Sequence, residues 1–547
     1  PDLTLDLESH QQSSGGVAID NLMTFDGSLV FSIAESPLER GAIWVGTNDG
    51  QVQLTRDGGG TWTNVTANIP GLPEWGTVSN VEPSRHDAAT AYISVDLHQM
   101  ADFGPWIYQT RDWGGSWRKI SDGIPSSPHS FVHVVKEDPK RPGMLFAGTD
   151  NSVWMTLDDG DHWTKLRLDM PPAPVYWLVV QERFDDLVVA TYGRGFWILD
   201  DIGPLRALDG ETLASDGLFQ PSPAFRWQEV QGIKTEPSMS IGRDPRYGAN
   251  IDYFVVGEQA PADTGRAARA RITLTDAEGT VVRELTGPAR PGINRAYWDL
   301  RHPSPELPRF RTNPPGRDWV ALEQGRDREV YVWDIDLVRG HRGPLAVPGT
   351  YTVRVEIGDE SFSAPLEVLK DPHSTGTLAD IEEQVAFSLE LRDRITEVTG
   401  LIERMEHTRL QLRAAEGALA AVERDGDAGG ALEGVSSDAD TLLAEVRRAR
   451  ERVIELEGRL VDVNLTGARE DSFRNPMRLY GRFSALASDV DWKGSDFPPT
   501  AQQREVADVL TGRLDEARRA IRDFLETELN VLNERLLAAG MPPVVME

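Results

Sequence analysis

Thr55-Arg56-Asp57-Gly58-Gly59-Gly60-Thr61-Trp62 decides how this chain is read, because the same octet returns twice. It recurs as Thr110-Arg111-Asp112-Trp113-Gly114-Gly115-Ser116-Trp117 and as Thr156-Leu157-Asp158-Asp159-Gly160-Asp161-His162-Trp163. Each copy follows an alternating apolar stretch (51–55, 106–110, 152–156) and precedes another short one. The residue types fit a tight hairpin. An Asp carboxylate accepts backbone N–H bonds inside the turn, Gly supplies a positive φ, and the Trp folds back as an apolar plug between neighbouring sheets. Asp57, Asp112 and Asp158 are therefore read as structural, with Trp62, Trp117 and Trp163 as the anchors.

Working outward, similar strands lie one step upstream of each octet (43–47, 91–95, 145–149) and again one step further (29–34, 78–82, 131–136, 176–181). A fourth copy begins at 188–191, but Gly195-Phe196-Trp197-Ile198-Leu199-Asp200-Asp201 stands where its octet belongs. Four antiparallel strands in a repeat of about 45 to 55 residues are the size of one propeller blade. The octets match the Asp-box (BNR) repeat of sialidases, two-propeller xyloglucanases and sortilin-type receptors. The span from Ser13-Ser14-Gly15-Gly16 to Thr191-Tyr192-Gly193-Arg194-Gly195-Phe196-Trp197-Ile198-Leu199-Asp200-Asp201 resembles the large bacterial sortilin-like propeller proteins, which are commonly labelled glycosyl hydrolases. That resemblance implies a propeller, a β-sandwich and a helical tail in this order, and a longer parent chain of which these residues are the C-terminal part. It specifies a fold far better than a reaction. Four blades leave a ring of this repeat open, so the missing blades are expected from an upstream segment or a second chain. A compact four-bladed ring is the alternative.

The expected fold class is multidomain, mainly β and then α: Asp-box β-propeller blades over 1–206, an immunoglobulin-like β-sandwich over 207–372 and an antiparallel helical bundle over 373–547. Sandwich strands are expected at 251–256, 270–275, 281–285, 295–300, 351–357 and 361–368, with a long insertion over 302–347. Helices are expected over 378–422, 438–463 and 500–538, with a Gly/Asp-rich turn at 425–437 and Thr500 as an N-cap. The helical pattern also allows a coiled-coil dimer.

Composition narrows the function. Among 547 residues there are 56 basic and 87 acidic side chains, a formal net charge of −31, and no cysteine. This balance argues against a nucleic-acid partner. The absence of cysteine removes disulfides and thiolate chemistry, and no apolar run reaches the roughly 20 residues of a membrane span. No cofactor and no metal site is read from the sequence, with calcium at the acidic turns left open: the histidines form no close-spaced pair, and no zinc-protease, EF-hand, P-loop or nucleophile-elbow motif occurs. The three-arginine cluster with a Tyr/Glu pair that a sialidase requires is not found. Blade topology sends the loops between the second and third strands, and those entering each innermost strand, to the rim opposite the octets. That rim then gathers Trp75, Asp96, His98, His129, Tyr176, Tyr192 and Arg194 as a candidate funnel. Aromatic faces with carboxylates suit sugar binding, and Arg194 between two glycines suits anion capture. Packing between blades competes as the role of Trp75, His129 and Tyr176, which are taken to recur at one blade position, and turn duty competes at Asp49 and Asp150.

Three functions fit. The first is an extracellular or periplasmic ligand-binding or scaffold module for glycan or protein ligands. The second is a glycoside hydrolase acting on a polysaccharide through a carboxylate pair in the funnel. The third is a sortilin-like peptide-binding ectodomain.

Overall fold

Hydrogen bonds inside the three octets repeat almost atom for atom. In the computed structural model the Thr55 hydroxyl donates to Asp57 Oδ1 (2.8 Å) and accepts the Gly59 N–H (3.0 Å), and Asp57 accepts the Thr61 N–H and hydroxyl at 2.8 Å each. Thr110, Asp112, Gly114 and Ser116 reproduce this at 2.7–2.9 Å. In the third copy His162 Nδ1 replaces the hydroxyl, 2.8 Å from Asp158 Oδ2. Donation by the Thr61 backbone, then by its hydroxyl, holds the Asp57 carboxyl down at about 2. Two consecutive left-handed positions are shared: Gly58, Trp113 and Asp159 at φ of 71°, 58° and 60°, then Gly59, Gly114 and Gly160 at 96°, 79° and 86°. At Gly114 a Cβ would also lie 2.8 Å from Val65 Cγ1 of the preceding sheet, so the glycine serves both turn and packing.

The structure describes residues 2–5, 29–167, 169–210, 212–228, 244–257, 269–317, 319–320, 341–426, 436–466, 477–491 and 495–545. The chain is mostly β-sheet, followed by a helical C-terminal part. Sheet 1 runs in the order β1 (Val30–Glu35), β2 (Ile43–Thr47), β3 (Val52–Thr55) and β4 (Thr63–Asn64). Sheet 2 is β5 (Thr77–Pro83), β6 (Ala91–Asp96), β7 (Trp106–Thr110) and β8 (Arg118–Lys119). Sheet 3 is β9 (Val132–Glu137), β10 (Leu145–Thr149), β11 (Val153–Thr156) and β12 (Thr164–Lys165). Sheet 4, which lacks an octet, has only β13 (Val175–Gln181), β14 (Asp186–Thr191) and β15 (Phe196–Leu199).

Every octet joins the third strand of its sheet to the fourth. Successive sheets pack through their first strands: β5 lies on β1 and β2, β9 on β5 and β6, and β13 on β9 and β10. No comparable packing joins sheet 1 to sheet 4 among the described residues. Trp117 carries out the anchoring: it meets Trp44 of sheet 1 edge-on, with ring centroids 6.0 Å apart. Trp163 is buried and donates to the Ile120 carbonyl (2.5 Å) at the end of sheet 2. Trp62 is only half-buried, since no sheet precedes its own among the described residues.

The next region holds two sheets over one core. One is β16 (Gly217–Leu218), β18 (Ala249–Val255) and β21 (Gly292–Trp298). The other is β17 (Ala224–Arg226), β23 (Glu360–Lys370), β22 (Gly349–Ile357), β19 (Arg269–Thr275) and β20 (Val281–Pro288), in that order. The sequence pattern misses β16 and β17, which are too short to show alternation. Much of the expected 302–347 insertion falls outside the described residues.

The helices are α1 (Leu378–Gly426), α2 (Ser436–Leu460), α3 (Leu479–Val490), α4 (Ala501–Asp523) and α5 (Asn530–Ala538), with a π-helical turn (Phe524–Leu529) carrying α4 into α5. Thr500 caps α4 in a reciprocal capping box with Gln503. The apolar faces of these helices meet in one core within a single chain. The expected turn at 425–437 lies largely outside the described residues. α3 escapes the sequence reading because Arg478 offers it no side-chain cap and Gly481 interrupts it.

Candidate functional site

All four innermost strands carry a β-bulge near their first residues. The register skips Phe31 in β1, Ser79 in β5, His133 in β9 and Tyr176 in β13. A bulge adds one residue and re-aims its side chain, a device common beside functional sites. These four positions are structurally equivalent. The sequence reading that set Trp75, His129 and Tyr176 at one position is corrected here: Trp75 and His129 precede their strands, and Tyr176 shares its register with His133. The loop into sheet 4 is shorter, so counting from the octets shifts it out of step.

The bulges bring together a cluster centred on His133, which is 5% exposed. Its Nδ1 lies 3.7 Å from Asp96 Oδ2 and its Nε2 3.7 Å from Asp150 Oδ1. Each carboxylate accepts a hydrogen bond from an outer imidazole, Asp96 from His98 Nδ1 (2.7 Å) and Asp150 from His129 Nδ1 (2.9 Å). The result is an alternating chain, His98–Asp96–His133–Asp150–His129. Rings pack around it: His133 stacks on Tyr176 (4.1 Å), Tyr176 meets Tyr192 (5.6 Å) and His98 stacks on Phe131 (4.7 Å). A neutral imidazole has one N–H for two carboxylates, and His133 Nε2 has no hydrogen bond among the described residues. The site therefore retains buried acceptor capacity that a ligand donor or a proton would satisfy. Among the described residues, no group of three or more His, Asp or Glu side chains has the geometry to hold a metal ion.

Of the expected funnel residues, Asp96, His98, His129, Tyr176 and Tyr192 converge here. Trp75 lies with its backbone beside Gly50 of sheet 1, half-buried at a left-handed φ of 62°. The Arg194 side chain stays exposed, while its carbonyl accepts from Trp197 Nε1 (3.1 Å). Asp49 is buried and receives the Leu5 N–H (2.8 Å). His133 and Phe131 were missed by the sequence reading. A His in the apolar run Val132-His133-Val134-Val135 was the available signal.

Burial holds the His133 imidazole below its ordinary value, against the pull of Asp96 and Asp150 and with a small further push from His98. Burial, chiefly, also depresses His302, to about 4. The unfolded chain takes up protons near pH 6.5 that these native imidazoles decline. Their contribution to stability is complete above that pH and is lost as pH falls towards the folded values. Thermal midpoints should drop between pH 7 and pH 5. The slope should be shallower in His133→Asn, and equal slopes would remove His133 from the account.

No family model and no curated protein matches the chain. Among solved structures it is similar to YCF48 from Cyanidioschyzon merolae, with 19% identity over 31% of this chain and 53% of that one at a TM-score of 0.25. It is also similar to the GH74 xyloglucanase from Xanthomonas campestris (13% identity, 62% and 54% covered, TM-score 0.26) and to the GH74 enzyme from Niastella koreensis (13%, 62% and 53%, 0.26). Each match spans about half of the other chain. At these identities and TM-scores the similarities assign no activity to this chain.

Proposed function

We propose that the four sheets are Asp-box blades of a larger β-propeller, and that the rim cluster centred on His133 binds a glycan or protein ligand. The convergence of His133, two carboxylates, Tyr176 and Tyr192 at one rim carries this reading. Tyr192 and Tyr176 are 71% and 49% exposed, which leaves ring faces for a sugar or an apolar side chain. In this reading the two-sheet region is an immunoglobulin-like spacer, and the protein works outside the cytoplasm as a ligand-binding or scaffold module. Further blades, from an upstream segment or a second chain, cover the outer faces of sheets 1 and 4. Exposed Ile33 and Phe31 on the first, and Phe196 and Ile198 on the last, support that placement.

Asp96 and Asp150 at one rim favour a second reading, a glycoside hydrolase acting on a polysaccharide. Hydrolysis requires one carboxylic acid as proton donor, whereas both groups here accept hydrogen bonds from imidazoles. Binding is therefore the better-supported function. Glycan- and peptide-array binding by the protein, followed by titration of the best ligand, tests it. Tyr192→Ala and Tyr176→Ala should each weaken that ligand about tenfold. Release of reducing sugar that disappears in Asp96→Asn or Asp150→Asn would establish the hydrolase instead.

A further inference from the structure

The helical region holds a second cluster unrelated to the rim. A cavity of about 430 Å³ opens between the C-terminal end of α2, the start of α3 and the middle of α4. Four of its eight lining residues are arginines, Arg459, Arg478, Arg482 and Arg513, and Glu516 is the single acidic one. In a chain with a net charge of −31 this is a local inversion of sign.

The rest of the bundle shows what arginines ordinarily do there. Arg447 pairs with Glu416 (2.9 Å), Arg518 with Glu397 (2.9 Å) and Arg409 with Glu457 (2.8 Å). Around the cavity this pattern fails. Arg459 keeps one partner, Glu455 at 2.9 Å, and Arg482 Nε donates to the Met477 carbonyl at 2.8 Å, a neutral acceptor that fixes its direction. Arg478 and Arg513 have no ion pair and no side-chain hydrogen bond among the described residues. α3 adds to the same field. Its first turn has no acidic residue, and Arg478 at its N-cap position provides no side-chain acceptor, so among the described residues no side chain caps the positive dipole end beside Arg478 and Leu479 of the cavity lining.

Four guanidiniums stand here against two carboxylates, Glu455 and Glu516, an excess of positive charge, and their forked N–H donors match the oxygens of a tetrahedral anion. We infer that this cavity is a binding site for a compact, multiply charged oxyanion, a phosphate group either free or carried by a small molecule. The volume is that of a small-ligand pocket. A long polyanion is disfavoured by the net charge of −31 on the chain as a whole.

Isothermal titration of the full chain with pyrophosphate and with glucose 6-phosphate, at constant ionic strength with sodium chloride as the control, tests the site. Saturable binding of at least one phosphate probe at one per chain is expected, and the tighter arm tells a free anion from a sugar-borne one. Arg478→Gln and Arg513→Gln should each weaken it about tenfold, while Arg519→Gln, on the exposed face of α4, should leave it unchanged. Neither neutralised arginine has a partner to orphan among the described residues, so far-UV circular dichroism and the melting point should match the parent. No saturable heat from either probe overturns the inference, and so does binding that both cavity variants retain in full.

Discussion

Arg226→Met is expected to cost about 3–5 kcal/mol of stability, because it strands a buried carboxylate. Arg226 closes β17 and pairs with Asp496, and both side chains are fully buried. The same guanidinium donates to Gln384 Oε1 of α1 (3.2 Å), and the Gln384 amide reaches the Val490 carbonyl at 3.4 Å. Three segments thus meet at one cation: the two-sheet region, α1 and the chain leading into α4. Removing it leaves Asp496 without its counter-charge in a site closed to water. The double variant Arg226→Met/Asp496→Leu should recover most of the loss, since an apolar pair needs no compensation. Urea midpoints at pH 7 for the parent, both single variants and the double variant measure this. A single-variant loss below about 1 kcal/mol, the scale of an exposed pair, would show that the junction is wet.

Trp44→Ala should cost a similar amount, about 3–5 kcal/mol, by opening a cavity between sheets 1 and 2. Trp44 is fully buried on β2, and the indole of Trp117 stands against it at an interplanar angle of 85°. One substitution therefore removes the core of one sheet and the seat of the next octet's anchor. Trp44→Phe should retain most of the stability. Denaturant midpoints, with hydrogen exchange in β5 and β6, follow the effect. Loss of protection confined to sheet 1 would mean that the seam does not depend on this pair.

The octets were legible because the side-chain bonds that close the turn lie within eight residues. The side chains of Thr55, Asp57 and Thr61 bond within the octet, so the turn can be read from spacing, while one backbone bond, from the Gly58 N–H to the Gly41 carbonyl, ties it to a neighbouring loop. The Thr500 cap is legible on the same ground. The rim cluster was half legible. Strand order sends Asp96, His98, His129, Tyr176 and Tyr192 to one end, which topology alone supplies. His133 was not found, because a bulge breaks the two-residue alternation that sequence reading relies on. Asp150 was read as a turn residue, and its hairpin position says nothing of the imidazoles that reach it from β9 and the loop before it.

What this sequence determined by itself is the repeated corner, the alternation of the strands around it and the change to helical periodicity near residue 372, since each is set by neighbours a few bonds away. Tertiary structure alone decided that His133 stands between Asp96 and Asp150, that Arg226 meets Asp496, and that four arginines face one cavity. Each of those arrangements joins side chains from separate elements. Their distances are set by how sheets and helices pack, and no local spacing encodes that.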